Sequence, residues 1–260
     1  MISATLIAIS IRAIRQSQEF AQYSLGTTVL WFSFLLLLHP KTRSSILPVV
    51  LLGWVYLIHN VASITVILLV FSVFSLEFFG YLNSRRESGV ESSDLLKGWF
   101  AGESHAPINR LAFAHLGLLV FTIPIMTSTS SDYTFGGYIS PTPDDPLFQL
   151  MIGLFGVGRS FAVILASLVA LSMFNTLHSL WEGPRLPISS VDSGGSAVGF
   201  RITLITVAFG TLFVVLLYSE IVRPLFVPRF FLFSIPAWAL LIGLGISDLV
   251  GWLSSQVDND

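Results

Sequence analysis

Residues 46–82 read ILPVVLLGWVYLIHNVASITVILLVFSVFSLEFFGYL, an apolar run without Lys or Arg whose strongly polar breaks are His59-Asn60 and Glu77. As one helix at 1.5 Å per residue it would extend about 55 Å, against roughly 30 Å for the hydrocarbon core of a bilayer. It is therefore expected to form two membrane helices that turn at His59-Asn60. The second, 61–82, holds Glu77 among Phe74, Leu76, Phe78 and Phe79. A carboxylate in such company requires a partner or a proton, and so draws other polar residues toward it.

Composition supports the same class. Of 260 residues 53% are hydrophobic and 11% charged, against about 25% charged in an ordinary soluble domain. Mean hydropathy is +0.80, which excludes a soluble fold. A net charge of −2 gives no footprint for nucleic acid. The absence of cysteine removes disulfides, thiol catalysis and Cys-type metal or cluster sites together. Arg outnumbers Lys eleven to two, a bias that points to a high-GC or salt-adapted prokaryotic source and a cell-membrane location. Met1 to Arg15 places its basic residues after its apolar ones, the reverse of a signal peptide, and reads as a short interfacial or packed helix.

Taken in order, the apolar runs give spans at about 25–39, 45–59, 61–82, 111–127, 160–180, 200–222 and 230–253, with a half-helix at 147–155 closed by Gly156-Val157-Gly158. The fold expected is an all-α integral membrane protein. It comprises a bundle of about seven transmembrane helices, a short N-terminal helix and the half-helix, in a single polytopic domain over 1–260. Between spans, Ser92-Ser93-Asp94 precedes Leu95-Leu96-Lys97-Gly98-Trp99-Phe100. That is the pattern of a capped amphipathic helix on the membrane surface. Trp181 to Gly199 ends in SSVDSGGSAVG and reads as a flexible loop. Pro236 falls in the first turns of the last helix, where a proline costs least.

Basic residues set the orientation. With loops 40–44, 83–110 and 181–199 cytoplasmic, that side holds Lys41, Arg43, Arg85, Arg86, Lys97, Arg110, Arg185 and Arg201. The other side, with loop 127–146, receives Arg12, Arg15, Arg223 and Arg229, and Arg159 at its boundary. In this frame Glu77, His115, Asn175, His178, Arg201 and Asp248 come from five helices and share the cytoplasmic third. Asn175 and His178 stand at i and i+3, near one face. Glu77 and His115 lie at equal depth on sequential antiparallel spans and are expected to meet. Arg159 and Glu220, on the other side, are expected to form a structural ion pair. A plainer reading stands beside the pocket: ionisable groups collect near helix ends because the bilayer centre is expensive, and Glu77 then reaches toward Arg85 or Arg86.

Motifs for chemistry are absent. No HExxH or HxxxH spacing, G-x-S-x-G elbow or phosphate-binding loop occurs, so no catalytic residue, metal or cofactor is expected. A haem on two of His59, His115 and His178 is disfavoured because His59 lies on the opposite side from the other two.

The order of polar markers resembles a family of uncharacterised multi-pass membrane proteins of archaea and bacteria. Phe74-Ser75-Leu76-Glu77, His115-Leu116-Gly117, Asn175 to His178, Phe200-Arg201 and Asp248 carry the resemblance, which covers about residues 46–253. Glu77 lacks the preceding Tyr-Trp and the following Asn of that pattern, and Leu116 replaces an aromatic. The resemblance implies a fold and no activity. Three functions fit the residues: binding or transport of a small polar ligand, ion or proton through a cytoplasm-facing pocket; a structural or accessory subunit of a membrane complex; and an enzyme using Glu77 and His115 as acid and base. The partners expected are the lipid bilayer, other membrane subunits or a second copy of the chain.

Overall fold

The computed structural model describes residues 21–38, 47–58, 62–87, 92–101, 109–110, 112–113, 116, 144–181, 195–221 and 228–257. Eight α-helices are delimited among them: α1 Ala21–Leu38, α2 Leu47–Ile58, α3 Ala62–Glu87, α4 Ser92–Ala101, α5 Pro146–Phe155, α6 Arg159–Trp181, α7 Gly195–Ile221 and α8 Ile235–Val257. A 3-10 helix, Pro228–Ser234, leads into α8, and no strand occurs among the described residues. The turn expected at His59-Asn60 lies outside the described residues, between the end of α2 and the start of α3. The N-terminal 1–20 stretch lies outside them too.

Proline and glycine mark the helix ends for local reasons. Pro48, Pro146 and Pro236 each stand within the first two residues of their helix, where the missing N–H would have no intrahelical partner. α5 stops at Gly156, whose φ of 67° is left-handed and whose N–H bonds the Ile152 carbonyl at 2.9 Å.

Four helices are long and apolar enough to cross a membrane: Ala62–Leu82 within α3, Arg159–Trp181, Ala197–Ile221 within α7, and Phe231–Gln256 through the 3-10 helix and α8. The 21 residues of the first would cover about 32 Å. α2, with 12 residues, covers about 18 Å and falls short of the hydrocarbon core. The apolar part of α1, Tyr23–Leu37, is also shorter than a full span. Full-length spans therefore number four among the described residues, against the seven expected, and most of 111–127 lies outside them. A second correction concerns α7, which begins at Gly195 and not at residue 200. Gly-Ser-rich composition is a weak prior that tertiary packing overrides. Here Gly199 is buried and its carbonyl accepts the Thr203 hydroxyl at 3.0 Å, inside the helix.

The chain divides into two compact units. The first holds α5, α6, α7 from Leu204 onward, the 3-10 helix, α8 and α1 up to Thr27. Its core is Leu150, Met151 and Leu154 of α5, Leu165 and Val169 of α6, and the continuous buried stretch from Phe231 to Ala239. Trp238 is fully buried with its ring 4.7 Å from Phe209, and Tyr23 packs on Phe233 at 5.9 Å. α6 and α8 are in close contact, because Gly245 sits directly on the backbone of Leu168. The second unit holds the rest of α1, α2, α3, α4 and α7 up to Thr203. There Phe34 stacks on Phe200 at 5.9 Å, and Ser72 of α3 donates to the Thr203 hydroxyl at 3.1 Å.

Four glycines supply two matched tests. A Cβ at Gly245 would overlap the Leu168 carbonyl, whereas one at Gly251 meets open space. Gly245→Ala should cost about 1–3 kcal/mol by forcing α6 and α8 apart, with Gly251→Ala neutral or stabilising. Gly156→Ala should cost roughly 1–2 kcal/mol for its left-handed φ, and Gly158→Ala little. Thermal unfolding of the detergent-solubilised variants checks both pairs; equal effects within a pair would remove the stated cause.

Candidate functional site

The site builds from one face of α3. Phe74, Phe78 and Tyr81 follow each other at i, i+4 and i+7, the spacing that aligns side chains along a helix. Into this face α4 inserts Trp99. Its ring centroid lies 5.9 Å from Phe74, 5.2 Å from Phe78 and 5.3 Å from Tyr81, each contact edge-on. That geometry sets the positive ring edge against the negative face. Trp99 is wholly buried, and its Nε1 donates to Oδ1 of the buried Asn109 at 2.7 Å. A Cβ on Gly98 would strike the Tyr81 hydroxyl, so the glycine leaves room for that side chain where α4 meets α3.

Glu77 stands one turn from both Phe74 and Tyr81, at the margin of this aromatic face. It is 8% exposed, and its Oε1 is sealed from solvent. A buried carboxylate, a buried amide and a buried indole N–H thus belong to one unit, beside four aromatic rings.

The other expected site residues distribute as follows. Arg201 is half-buried in the second turn of α7 and does not open the helix, since α7 starts six residues earlier. Asn175 is half-buried and His178 exposed on α6, the imidazole 6.3 Å from the Phe174 ring. Asp248 is half-buried on α8. Glu77 and Arg201 belong to one unit, and Asn175, His178 and Asp248 to the other. His115, the expected partner of Glu77, lies outside the described residues. Among the described residues no group of three His, Cys, Asp or Glu side chains could hold a metal ion.

No protein-family model, curated protein or solved structure matches this chain.

One pairing is corrected. Arg159 binds Asp145, Nη2 to Oδ2 at 3.2 Å, and not Glu220, which is exposed near the end of α7. The Gly156-Val157-Gly158 turn brings α5 against α6 and returns the residue before Pro146 to the start of α6. Arg159 is 79% exposed, so the pair contributes between zero and about 1 kcal/mol. The Trp99–Asn109 bond carried no sequence signal beyond the apolar pattern of Leu95, Leu96, Trp99 and Phe100, because a hydrogen bond between separate segments leaves no periodicity.

That bond should be measurable by a double-mutant cycle. Trp99→Phe strands the Asn109 carbonyl and Asn109→Ala strands the indole N–H, each at a cost of about 1–3 kcal/mol. The pair should couple by at least about 0.5 kcal/mol in thermal unfolding, and additive effects would contradict the contact.

Proposed function

We propose that the protein is an integral membrane protein that binds or transports a small cation or proton at Glu77. The observation that carries this reading is the burial of that carboxylate within the apolar Ala62–Leu82 stretch of α3. An ionisable residue inside an apolar span is expensive to maintain, and such a residue is by default a candidate for function. The four long helices support a membrane location. In this reading α1, α2 and the 111–127 stretch complete a bundle of about seven helices. Loops 40–44, 83–110 and 181–194 face the cytoplasm of a prokaryotic cell, and loop 127–146 faces outward. His115, Arg201 and Asp248 are proposed as further polar members of the cytoplasmic third, with Asn175 and His178. The resemblance to multi-pass membrane proteins of archaea and bacteria would imply a fold of this class and adds no activity.

A second reading is favoured by a different observation. α6 exposes Phe161 and Ile164 near its start and Phe174, Leu177 and Trp181 near its end. Those side chains suit packing against another membrane subunit as well as lipid.

Two measurements separate these readings. In proteoliposomes loaded with a pH-sensitive dye, wild type should dissipate an imposed proton or sodium gradient at least ~10-fold faster than protein-free vesicles, and Glu77→Gln should return to background. Wild type equal to empty vesicles would end the transport reading and leave the accessory one. For orientation, Ser131→Cys should react with an impermeant maleimide on intact cells and Ser88→Cys should not; the reverse pattern would invert the topology.

A further inference from the structure

The outer surface of α4 differs from its docked side. Lys97 and Phe100, three residues apart, are both exposed. In the segment that follows, Arg110, Phe113 and Leu116 are helical, stand at three-residue intervals and are also exposed. Two contacts join these segments: the Trp99–Asn109 hydrogen bond beneath, and the Phe100 and Phe113 rings, 6.1 Å apart, above it. Two aromatic rings therefore meet at the centre of a surface patch, and each has a basic residue three positions away. Phe100, Phe113 and Leu116 are 53%, 58% and 57% exposed. Among the described side chains of residues 83–116 the charged ones are Lys97 and Arg110. The buried Trp99 holds the patch fixed on α3, whose own Phe79 is exposed beside Phe78.

We propose that this patch seats an anionic phospholipid: the rings enter the boundary between headgroups and acyl chains, and Lys97 and Arg110 bind the phosphate. The proposal rests on the reading that α3 crosses the membrane. Aromatic rings flanked by long basic side chains fit the interfacial layer, where the apolar body is buried and the charge meets phosphate. A protein partner fits less well, since lysine is depleted at protein interfaces and this patch places one beside its centre.

The full chain, reconstituted in nanodiscs of mixed phosphatidylcholine and phosphatidylglycerol, tests it by native mass spectrometry of the lipids retained. Wild type should retain phosphatidylglycerol in preference to phosphatidylcholine. Lys97→Gln/Arg110→Gln should lose the preference, roughly fivefold for each residue removed. Arg159→Gln/Arg229→Gln, with the same net charge, should keep it. Both pairs should unfold at temperatures near wild type, since Lys97, Arg110 and Arg159 are exposed. No preference in wild type, or equal loss in both double variants, overturns the lipid seat. A stoichiometric protein held in place of lipid overturns it as well. Failure of the underlying reading looks different: wild type would wash from native membranes in alkaline carbonate.

Discussion

The constraint on which the rest depends is that each helix must satisfy its own polar groups. Among the described residues, the hydroxyls of Ser33, Ser167, Thr176, Ser179, Thr203, Thr211, Ser219 and Ser254 return to the carbonyl four residues earlier in their helix, at 2.6–3.0 Å. In water such back-bonding competes with solvent and slightly weakens a helix. Ser167, Ser179 and Ser254 nevertheless adopt it on exposed faces. The pattern suits an environment that offers no other partner, where the only tolerable backbone is one already hydrogen-bonded within its segment.

Against that background the few polar contacts between helices acquire weight. Ser72 donates to Thr203, whose own proton goes to Gly199, so one short relay ties α3 to the start of α7. Trp99 and Asn109 form another, which ties α4 to the segment after it while the Trp99 ring packs on the aromatic face of α3. Both lie in the unit that carries Glu77. The first unit relies more on close backbone approach at Gly245 and on large buried rings. Its buried Trp238 Nε1 and Ser172 Oγ have no hydrogen-bond partner among the described residues, an unsatisfied cost of about 1–3 kcal/mol each. The contact that stabilises α6 on α8 is thus shape, and α4 meets α3 through ring packing, while the directed bond of Trp99 ties α4 to Asn109 in the segment that follows it.

What the sequence made legible was whatever follows from length, periodicity and helix-breaking residues. The separation of α2 from α3 follows from a run too long for one helix, and the end of α5 at Gly156 follows from the need for a left-handed residue. The start of α7 was misread because Gly194-Gly195-Ser196 has low helix propensity, and propensity yields to packing around Gly199. Arg159 was assigned to Glu220 by depth alone; the turn at Gly156 puts Asp145 nearer, and a turn's direction is invisible in composition. Glu77 was legible as a buried carboxylate because its neighbours are apolar. Trp99, Gly98 and Asn109 were not, since their role depends on how two segments dock.

The distribution of exposed apolar surface bears on the solvent the fold is built for. α8 is buried throughout its first turns, yet from Leu249 to Gln256 it is exposed on every side, with Val250, Trp252 and Leu253 among those residues. In water a helix bare on all faces would lose the packing that normally holds it helical, because propensity alone supports only marginal helices. α6 exposes large apolar side chains near its start and near its end, and α1 and α3 expose Phe32, Leu35 and Phe71. Large exposed apolar side chains thus occur on α1, α3, α6 and α8 alike. In hydrocarbon the balance reverses: exposed Phe, Leu and Val cost nothing there, and unsatisfied backbone costs most. Helices that bury one face modestly, satisfy their own hydroxyls and leave broad apolar surfaces outward are therefore coherent in a bilayer. The interior is left to hold what lipid rejects, and the buried carboxylate of Glu77 is the clearest member of that set.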